Sequence, residues 1–189
     1  MIFQMMQSQV LFYILKELCK REKGDSVMFN IFKKKTKEYA DIIYAPLKGE
    51  AVASTAINDP TFAEEMLGKT MAVKPSEGKV YAPFDGTVAM VFETKHAVSL
   101  VSNNETEVLI HVGLDTVMLK GEHYTVFVED GAAVKKGDLL LEFDMEAIAA
   151  AGYDTITPIV ICNTDDYKDI VCTTGKQVVP GDTIMTLEK

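Results

Sequence analysis

Tyr44-Ala-Pro-Leu-Lys-Gly49-Glu-Ala-Val52 recurs as Tyr81-Ala-Pro-Phe-Asp-Gly86-Thr-Val88, with the Tyr and the Gly both displaced by 37 positions. Further on, Gly131-Ala-Ala-Val-Lys-Lys-Gly137-Asp138 recurs as Gly175-Lys-Gln-Val-Val-Pro-Gly181-Asp182, displaced by 44. The first pattern sets a proline at a strand end and a glycine at a bend. The second is a turn, an inward-pointing Val, then Gly-Asp ahead of the next strand. Two copies of each, in the same order, predict a pseudo-duplicated β-sandwich rather than a solenoid, which needs three or more repeats.

The texture around the repeats agrees. Beyond residue 40 the chain is a series of short β-branched runs punctuated by Gly, Pro, Asn and Asp, the pattern of an all-β domain. Only residues 145–151 (MEAIAAA, stopped by Gly152) and 62–67 read as short helices. The expected fold is an antiparallel β-sandwich over residues 41–189 with one or two short helices. Residues 1–40 read as an N-terminal extension, partly helical or disordered. Its apolar run Val10–Leu15 ends at Lys16, well short of the ~20 residues of a membrane span. The run also lacks the leading positive charge and the small-residue cleavage site of a signal peptide. A helix over residues 9–22, with basic residues behind its apolar stretch, would touch a membrane or a partner only peripherally. Met28 would also serve as an internal start.

The 189 residues, 48% hydrophobic and 25% charged, suit one soluble globular domain with an appendage and exclude a mostly disordered or multi-pass membrane chain. Residues 1–37 carry a net +5 and the remainder −14. A body that acidic argues against nucleic acid, which needs a basic footprint, and suits a basic protein partner. Cys19, Cys162 and Cys172 are odd in number and show no CxxC spacing. They read as reduced thiols of a cytoplasmic protein rather than a disulfide framework or thiolate zinc site.

Two of the three histidines fall in Thr94-Lys-His96-Ala-Val-Ser-Leu-Val-Ser-Asn103-Asn104-Glu-Thr-Glu-Val-Leu-Ile-His111-Val-Gly113-Leu-Asp115. This reads as two strands joined at an Asn-Asn turn. Across such a turn, facing positions have numbers summing to 207, which pairs His96 with His111, Thr94 with Gly113 and Phe92 with Asp115. Two imidazoles that close invite a shared proton, a metal ion or a phosphoryl group.

For zinc, the pair needs a third protein ligand for a catalytic site, with Asp115, Asp59 and His123 as candidates, or a partner's carboxylate at an interface. For nucleotide binding, Leu67-Gly68-Lys69-Thr70 resembles the end of a phosphate-binding loop, but Ala63 stands where its first glycine belongs. A phosphoryl group carried covalently on a histidine fits the neighbourhood: a neutral imidazole is nucleophilic when its other nitrogen is held. Thr94 supplies a hydroxyl there, and the backbone at Gly113 can approach closely.

The stretches FETKHAVSL and VLIHVGLDTVMLKG, preceded by GKVYAPFDGTV and followed by GAAVKKGD and TPIVICN, resemble the glucose-type enzyme IIA component of the bacterial phosphoenolpyruvate-dependent sugar phosphotransferase system. The resemblance runs from about Ile42 to the C-terminus. It implies a sandwich of the duplicated hybrid (barrel-sandwich) type. It implies a phosphoryl carrier that takes its group from the phosphocarrier protein HPr and passes it to a cysteine on the IIB domain of a glucose-family permease. Regulatory binding to other proteins also occurs in the family. By motif, His111 matches the phosphorylated histidine and His96 the second histidine, which contacts the phosphate and assists transfer. Thr94 matches the threonine that orients His96, and Gly113 the backbone that fixes the tautomer of the phosphorylated ring. Asp59 and Asp115 match acidic residues at the rim, where they would meet basic residues of HPr. Phe62 and Phe92 fall in the apolar docking surface, with ordinary core as their other reading. No cofactor is required, although zinc at a partner interface would find His96 and His111 there. The long N-terminus is unusual for the family, and the sugar is set by the permease.

Two other classes stay open at this point. A biotinyl or lipoyl carrier also uses GxxVxxGD, but presents a lysine at a hairpin tip where this chain has Asn103-Asn104. A zinc-dependent hydrolase on a related duplicated fold would use His96 and His111 as ligands with further donors.

Overall fold

The computed structural model describes residues 41–189, so the expectations for the N-terminal extension lie outside the described residues. Among them the strands are β1 Asp41–Tyr44, β2 Gly49–Ala53, β3 Lys69–Pro75, β4 Lys79–Tyr81, β5 Gly86–Val91, β6 Ala97–Ser102 and β7 Glu107–His111. They continue as β8 Tyr124–Val126, β9 Ala133–Val134, β10 Leu139–Phe143, β11 Thr157–Ile161, β12 Asp169–Cys172, β13 Lys176–Val178 and β14 Thr183–Glu188. They form an eight-stranded sheet, ordered β13-β2-β3-β11-β7-β6-β5-β9, and two three-stranded sheets, β1-β14-β12 and β4-β10-β8. The mostly-β antiparallel architecture expected from the sequence is the one observed.

The repeats are structural equivalents. Gly49 pairs with Val178 across β2 and β13, and Gly86 pairs with Val134 across β5 and β9, so each copy of the first motif meets a copy of the second. Tyr44 faces Thr183 and Tyr81 faces Leu139 in the same way. Ala45 N donates to Asp182 O at 2.7 Å and Ala82 N to Asp138 O at 2.8 Å. The two Asp side chains close their own turns alike, accepting from Val179 N at 3.0 Å and from Lys135 N at 2.8 Å.

One core fills the space between the sheets, with Ile43, Leu47, Met71, Leu100, Ile110, Leu140, Ile159 and Ile184 fully buried. A second, smaller cluster forms on the other face of the large sheet from Val52, Ile57, Phe62, Ala72, Ala97, Leu109, Leu114, Ile156 and Val160. Strand β7 feeds both by its period-2 alternation: Val108 and Ile110 point into the main core and Leu109 into the second cluster. Being covered on both faces, β7 can hold polar groups away from water.

Of the two expected helices, the later one spans Met145–Ala150, with Asp144 Oδ1 accepting from Ala147 N at its start. The earlier one is Pro60–Ala63, beginning two residues before the expected 62–67 and ending sooner. Asp59 caps it, accepting from Thr61 N at 2.7 Å, and Pro60 occupies the first helical position, where a missing N–H costs nothing.

The hairpin register differs by one from the expectation. Ala97 faces His111 and Val98 faces Ile110, so facing numbers sum to 208, and Val112 N donates to His96 O at 2.7 Å. The turn holds three residues, not two. Glu105 N returns to Ser102 O at 2.9 Å, Ser102 N reaches Thr106 O at 2.9 Å, and Glu105 sits at φ +68. This is the hairpin in which a tight turn is followed by a left-handed residue, here a glutamate rather than the glycine that would have announced it. The expected pairings of Thr94 with Gly113 and Phe92 with Asp115 fall beyond the ladder, which begins at Ala97 and ends at His111.

A Cβ added to Gly86 would lie 2.2 Å from the carbonyl oxygen of Val101 on the neighbouring strand, whereas one on Gly131 would meet nothing within 4 Å. Gly86→Ala is therefore expected to lower unfolding free energy by about 2–3 kcal/mol through overpacking. Gly131→Ala, at φ +80 but in open space, should cost about 1 kcal/mol from the left-handed backbone alone. Urea denaturation of both variants checks the order.

Candidate functional site

His111 ends β7 and His96 immediately precedes β6. Strict alternation would turn His96 away from Ala97 and His111. It lies instead in the loop between β5 and β6, where Lys95 takes φ +58 and the strand rule no longer governs. That loop delivers the imidazole to its partner: the two ring centroids stand 4.6 Å apart at 84°. The juxtaposition expected from the sequence is thus present, reached by a loop and not by a direct cross-strand pair.

Both rings are enclosed, His96 at 0% and His111 at 3% exposure. Phe62 lies against His111 at 5.1 Å between centroids, and Phe92 meets His96 edge-on at 5.7 Å. Phe62 is itself buried at 3% and belongs to the second cluster, so it is a wall of the site, while Phe92 is half-buried at its margin.

Each imidazole is tied by its Nδ1. His111 Nδ1 lies 2.9 Å from the carbonyl oxygen of Gly113. A carbonyl only accepts, so Nδ1 carries the proton and the Nε2 lone pair is free. His96 Nδ1 lies 2.7 Å from the hydroxyl of Thr94, which can donate or accept. The Nε2 atoms of both rings are buried without a hydrogen-bond partner. Buried polar atoms are rarely left so, and the places where they are tend to be functional.

Burial favours the uncharged rings. The His111 pKa is pushed down to about 4 by desolvation, against the opposing pull of the Gly113 carbonyl and the nearby Asp59 carboxylate. That of His96 falls to about 2, again chiefly by desolvation, then by the neighbouring His111. At neutral pH the site holds two neutral imidazoles in a low-dielectric wall.

Gly113 is irreplaceable for steric reasons. At φ +81 it occupies a conformation that side chains resist, and a Cβ would lie 2.5 Å from Thr116 Cγ2 and 2.7 Å from the Asp154 carbonyl. Asp59 is half-buried beside the site, and Asp115 is exposed at φ +57, making no side-chain cap to the 3₁₀ turn Thr116–Leu119 that follows it. Behind the loop, the buried Thr116 and Tyr124 both donate to the Val112 carbonyl, a contact that sequence spacing did not announce.

The donor set does not make a metal centre. Among the described residues no group of three or more His, Cys, Asp or Glu side chains could hold a metal ion, so neither Asp115, Asp59 nor His123 supplies the further ligand that the hydrolase reading needs. Two nitrogens alone would require a partner's donors.

The comparisons with known proteins converge on one family. Residues 41–167 match the model of the phosphoenolpyruvate-dependent sugar phosphotransferase system, EIIA 1. The chain is 46% identical over 142 residues to the glucose-specific EIIA component of Oceanobacillus iheyensis, covering 75% of this chain and 86% of that protein. It is 51% identical over 130 residues, 69% of its length, to the beta-glucoside-specific EIIBCA component of Dickeya chrysanthemi. It spans only 21% of that longer relative. Among solved structures, glucose permease IIA from Mycoplasma capricolum superposes with a TM-score of 0.74 at 30% identity, covering 78% of this chain and 96% of that one. These matches set aside the zinc hydrolase and the biotinyl or lipoyl carrier: the chain belongs to the EIIA family of the phosphoenolpyruvate-dependent sugar phosphotransferase system.

Proposed function

We propose that the chain carries a phosphoryl group on Nε2 of His111, taken from phosphorylated HPr and passed to a cysteine on the IIB domain of a glucose-family permease. The observation that carries this reading is the 2.9 Å contact between His111 Nδ1 and the Gly113 carbonyl, which leaves Nε2 unprotonated beside a second imidazole. In the first step the Nε2 lone pair attacks phosphorus, the new Nε2–P bond forms as the donor's N–P bond breaks, and the donor imidazole leaves with the electron pair. In the second, a thiolate attacks, the Nε2–P bond breaks, and His111 returns to its neutral form.

His96 assists both steps. With the Thr94 hydroxyl donating to its Nδ1, its Nε2 carries a proton and donates to a phosphoryl oxygen, a pre-aimed donor of the kind phosphoryl transfer uses. The exchange between nitrogen and sulfur needs alignment more than a Lewis acid, so no cofactor is part of the reading. Asp59 and Asp115 at the rim, on a body of net −14, would meet a basic donor surface. The fused EIIBCA arrangement of the Dickeya chrysanthemi relative supports a IIB acceptor. The reading places the protein in the cytoplasm, and no helix among the described residues is long and apolar enough to cross a membrane.

Labelling from phosphoenolpyruvate with enzyme I and HPr tests the assignment. His111→Ala is expected to abolish labelling, and His96→Gln to accept phosphoryl but pass it poorly to IIB. Equal labelling of His111→Ala would sink the site.

Neutral burial also has a pH consequence. The unfolded chain takes up protons on both histidines below their ordinary value of 6.5, while the folded rings resist protonation down to about 4 and about 2. The histidine contribution to stability is therefore full above pH 6.5 and is lost as pH falls through that value, down to about 4 for His111 and about 2 for His96. At about pH 5 the expected loss is about 2 kcal/mol per histidine. Urea unfolding at about pH 7.5 and about pH 5 checks it: His96→Gln and His111→Gln should each lose about 2 kcal/mol less than the parent chain over that interval.

A further inference from the structure

We propose that Thr116 and Tyr124 are positioning residues for His111, fixing the Val112–Gly113 peptide so that the Gly113 carbonyl holds the ring in the tautomer with Nε2 free. The phosphoryl-carrier reading enters only in the functional consequence; the geometric claim stands without it. The Val112 carbonyl oxygen accepts from Thr116 Oγ1 at 2.6 Å and from the Tyr124 hydroxyl at 3.1 Å, which fills both its lone pairs. The N–H of the same peptide, on Gly113, donates to Ile156 O at 3.1 Å. A peptide is planar, so anchoring both of its polar ends sets the plane from which Gly113 continues.

That anchoring matters because glycine is the residue least able to hold its own conformation. The carbonyl that His111 Nδ1 contacts belongs to this glycine, at φ +81. The Thr116 methyl lies 2.5 Å from where a Gly113 Cβ would be, so no side chain fits at 113 to hold the backbone in its place. Neither anchor is a loose surface group. Thr116 is 0% and Tyr124 5% exposed, and the tyrosine ring stacks on Phe143 at 6.4 Å and 27°. The same segment reaches His96, whose carbonyl accepts from Val112 N at 2.7 Å, so one peptide run orders the backbone beside both rings. The Gly113–Leu114 peptide keeps one tie of its own, Leu114 N donating to Asp154 O at 3.0 Å. With the Val112 anchors gone that single bond is left to hold the plane, and the Gly113 carbonyl turns partly away. The His111 proton then redistributes toward Nε2, where it occupies the lone pair that attack requires.

The test reads the tautomer directly, by ring nitrogen NMR of the full-length, unphosphorylated, ¹⁵N-labelled chain. Thr116→Val removes the hydroxyl and keeps a methyl, Tyr124→Phe removes the other donor, and Thr116→Ser keeps the hydroxyl. The ratio of Nδ1–H to Nε2–H forms of His111 is expected to fall about fivefold in each of the first two, the equivalent of one lost hydrogen bond, and to be retained in Thr116→Ser. Phosphoryl acceptance from HPr should fall in parallel. An unchanged ratio in Tyr124→Phe and Thr116→Val, with native backbone amide spectra, would overturn the proposal. So would an equal fall in Thr116→Ser. Failure of the parent chain to take phosphoryl on His111 would strike the carrier reading alone, because the tautomer is measured without a donor.

Discussion

Two reciprocal hydrogen bonds bind the halves of the sandwich: Tyr44 N donates to Pro83 O at 3.1 Å, and Tyr81 N donates to Pro46 O at 2.8 Å. Each repeat gives its tyrosine N–H to the proline carbonyl of the other, and proline, having no N–H, serves there only as an acceptor. At both places the chain leaves a three-stranded sheet, from β1 or β4, and enters the eight-stranded sheet as β2 or β5. The crossing therefore ties together the two points where the chain passes from one sheet to another. Alanines on either side, Ala45 and Ala82, are buried at 1% and 2%, so larger side chains would push the two crossing segments apart. The glycines that close each motif let the incoming strand approach its neighbour within van der Waals contact.

This pairing explains how much of the fold was legible. The repeats could be read because each carries residues with hard steric meaning: a proline, a glycine, and an Asp that caps its own turn. The hairpin register could not be read in the same way. Its third turn residue is Glu105, whose left-handed conformation is stabilised by context: Ser102 Oγ accepts from Asn104 N and Thr106 N and donates to the buried Asp41. Thr106 and Asn104 also bond to Asp41, a residue about 60 positions away that no local pattern connects to the turn. A long-range carboxylate thus chose the register.

The site shows a similar division. His111, His96, Thr94 and Gly113 were legible because each belongs to a short, chemically specific run. The geometry joining His96 to His111 was not, since it depends on Lys95 at φ +58 and on a register set from the other end of the hairpin. Thr116 and Tyr124 were silent for a different reason. Their work is done on a backbone carbonyl, and a residue chosen for what it does to the main chain leaves no spacing signature.

Left-handed non-glycine residues gather beside the histidines: Lys95 one residue before His96, and Asp115 two after Gly113. Such conformations cost of order 1–3 kcal/mol each and persist only where surrounding structure over-determines them. Here the surroundings are the second apolar cluster, which encloses both imidazoles and keeps them neutral. A charged pair would be cheaper to leave in water, but a protonated ring has no lone pair to offer. Asp59 pulls the other way, favouring a proton on His111 while capping the helix that carries Phe62. The balance falls to burial, because the wall contacts the rings directly whereas the carboxylate acts from the rim. On the proposed reading, a neutral nucleophile held by one hydrogen bond in a rigid wall needs little reorganisation to gain a phosphoryl group or to lose it. Near-reversibility of that kind is what a carrier requires and what a site built to retain its phosphate would avoid.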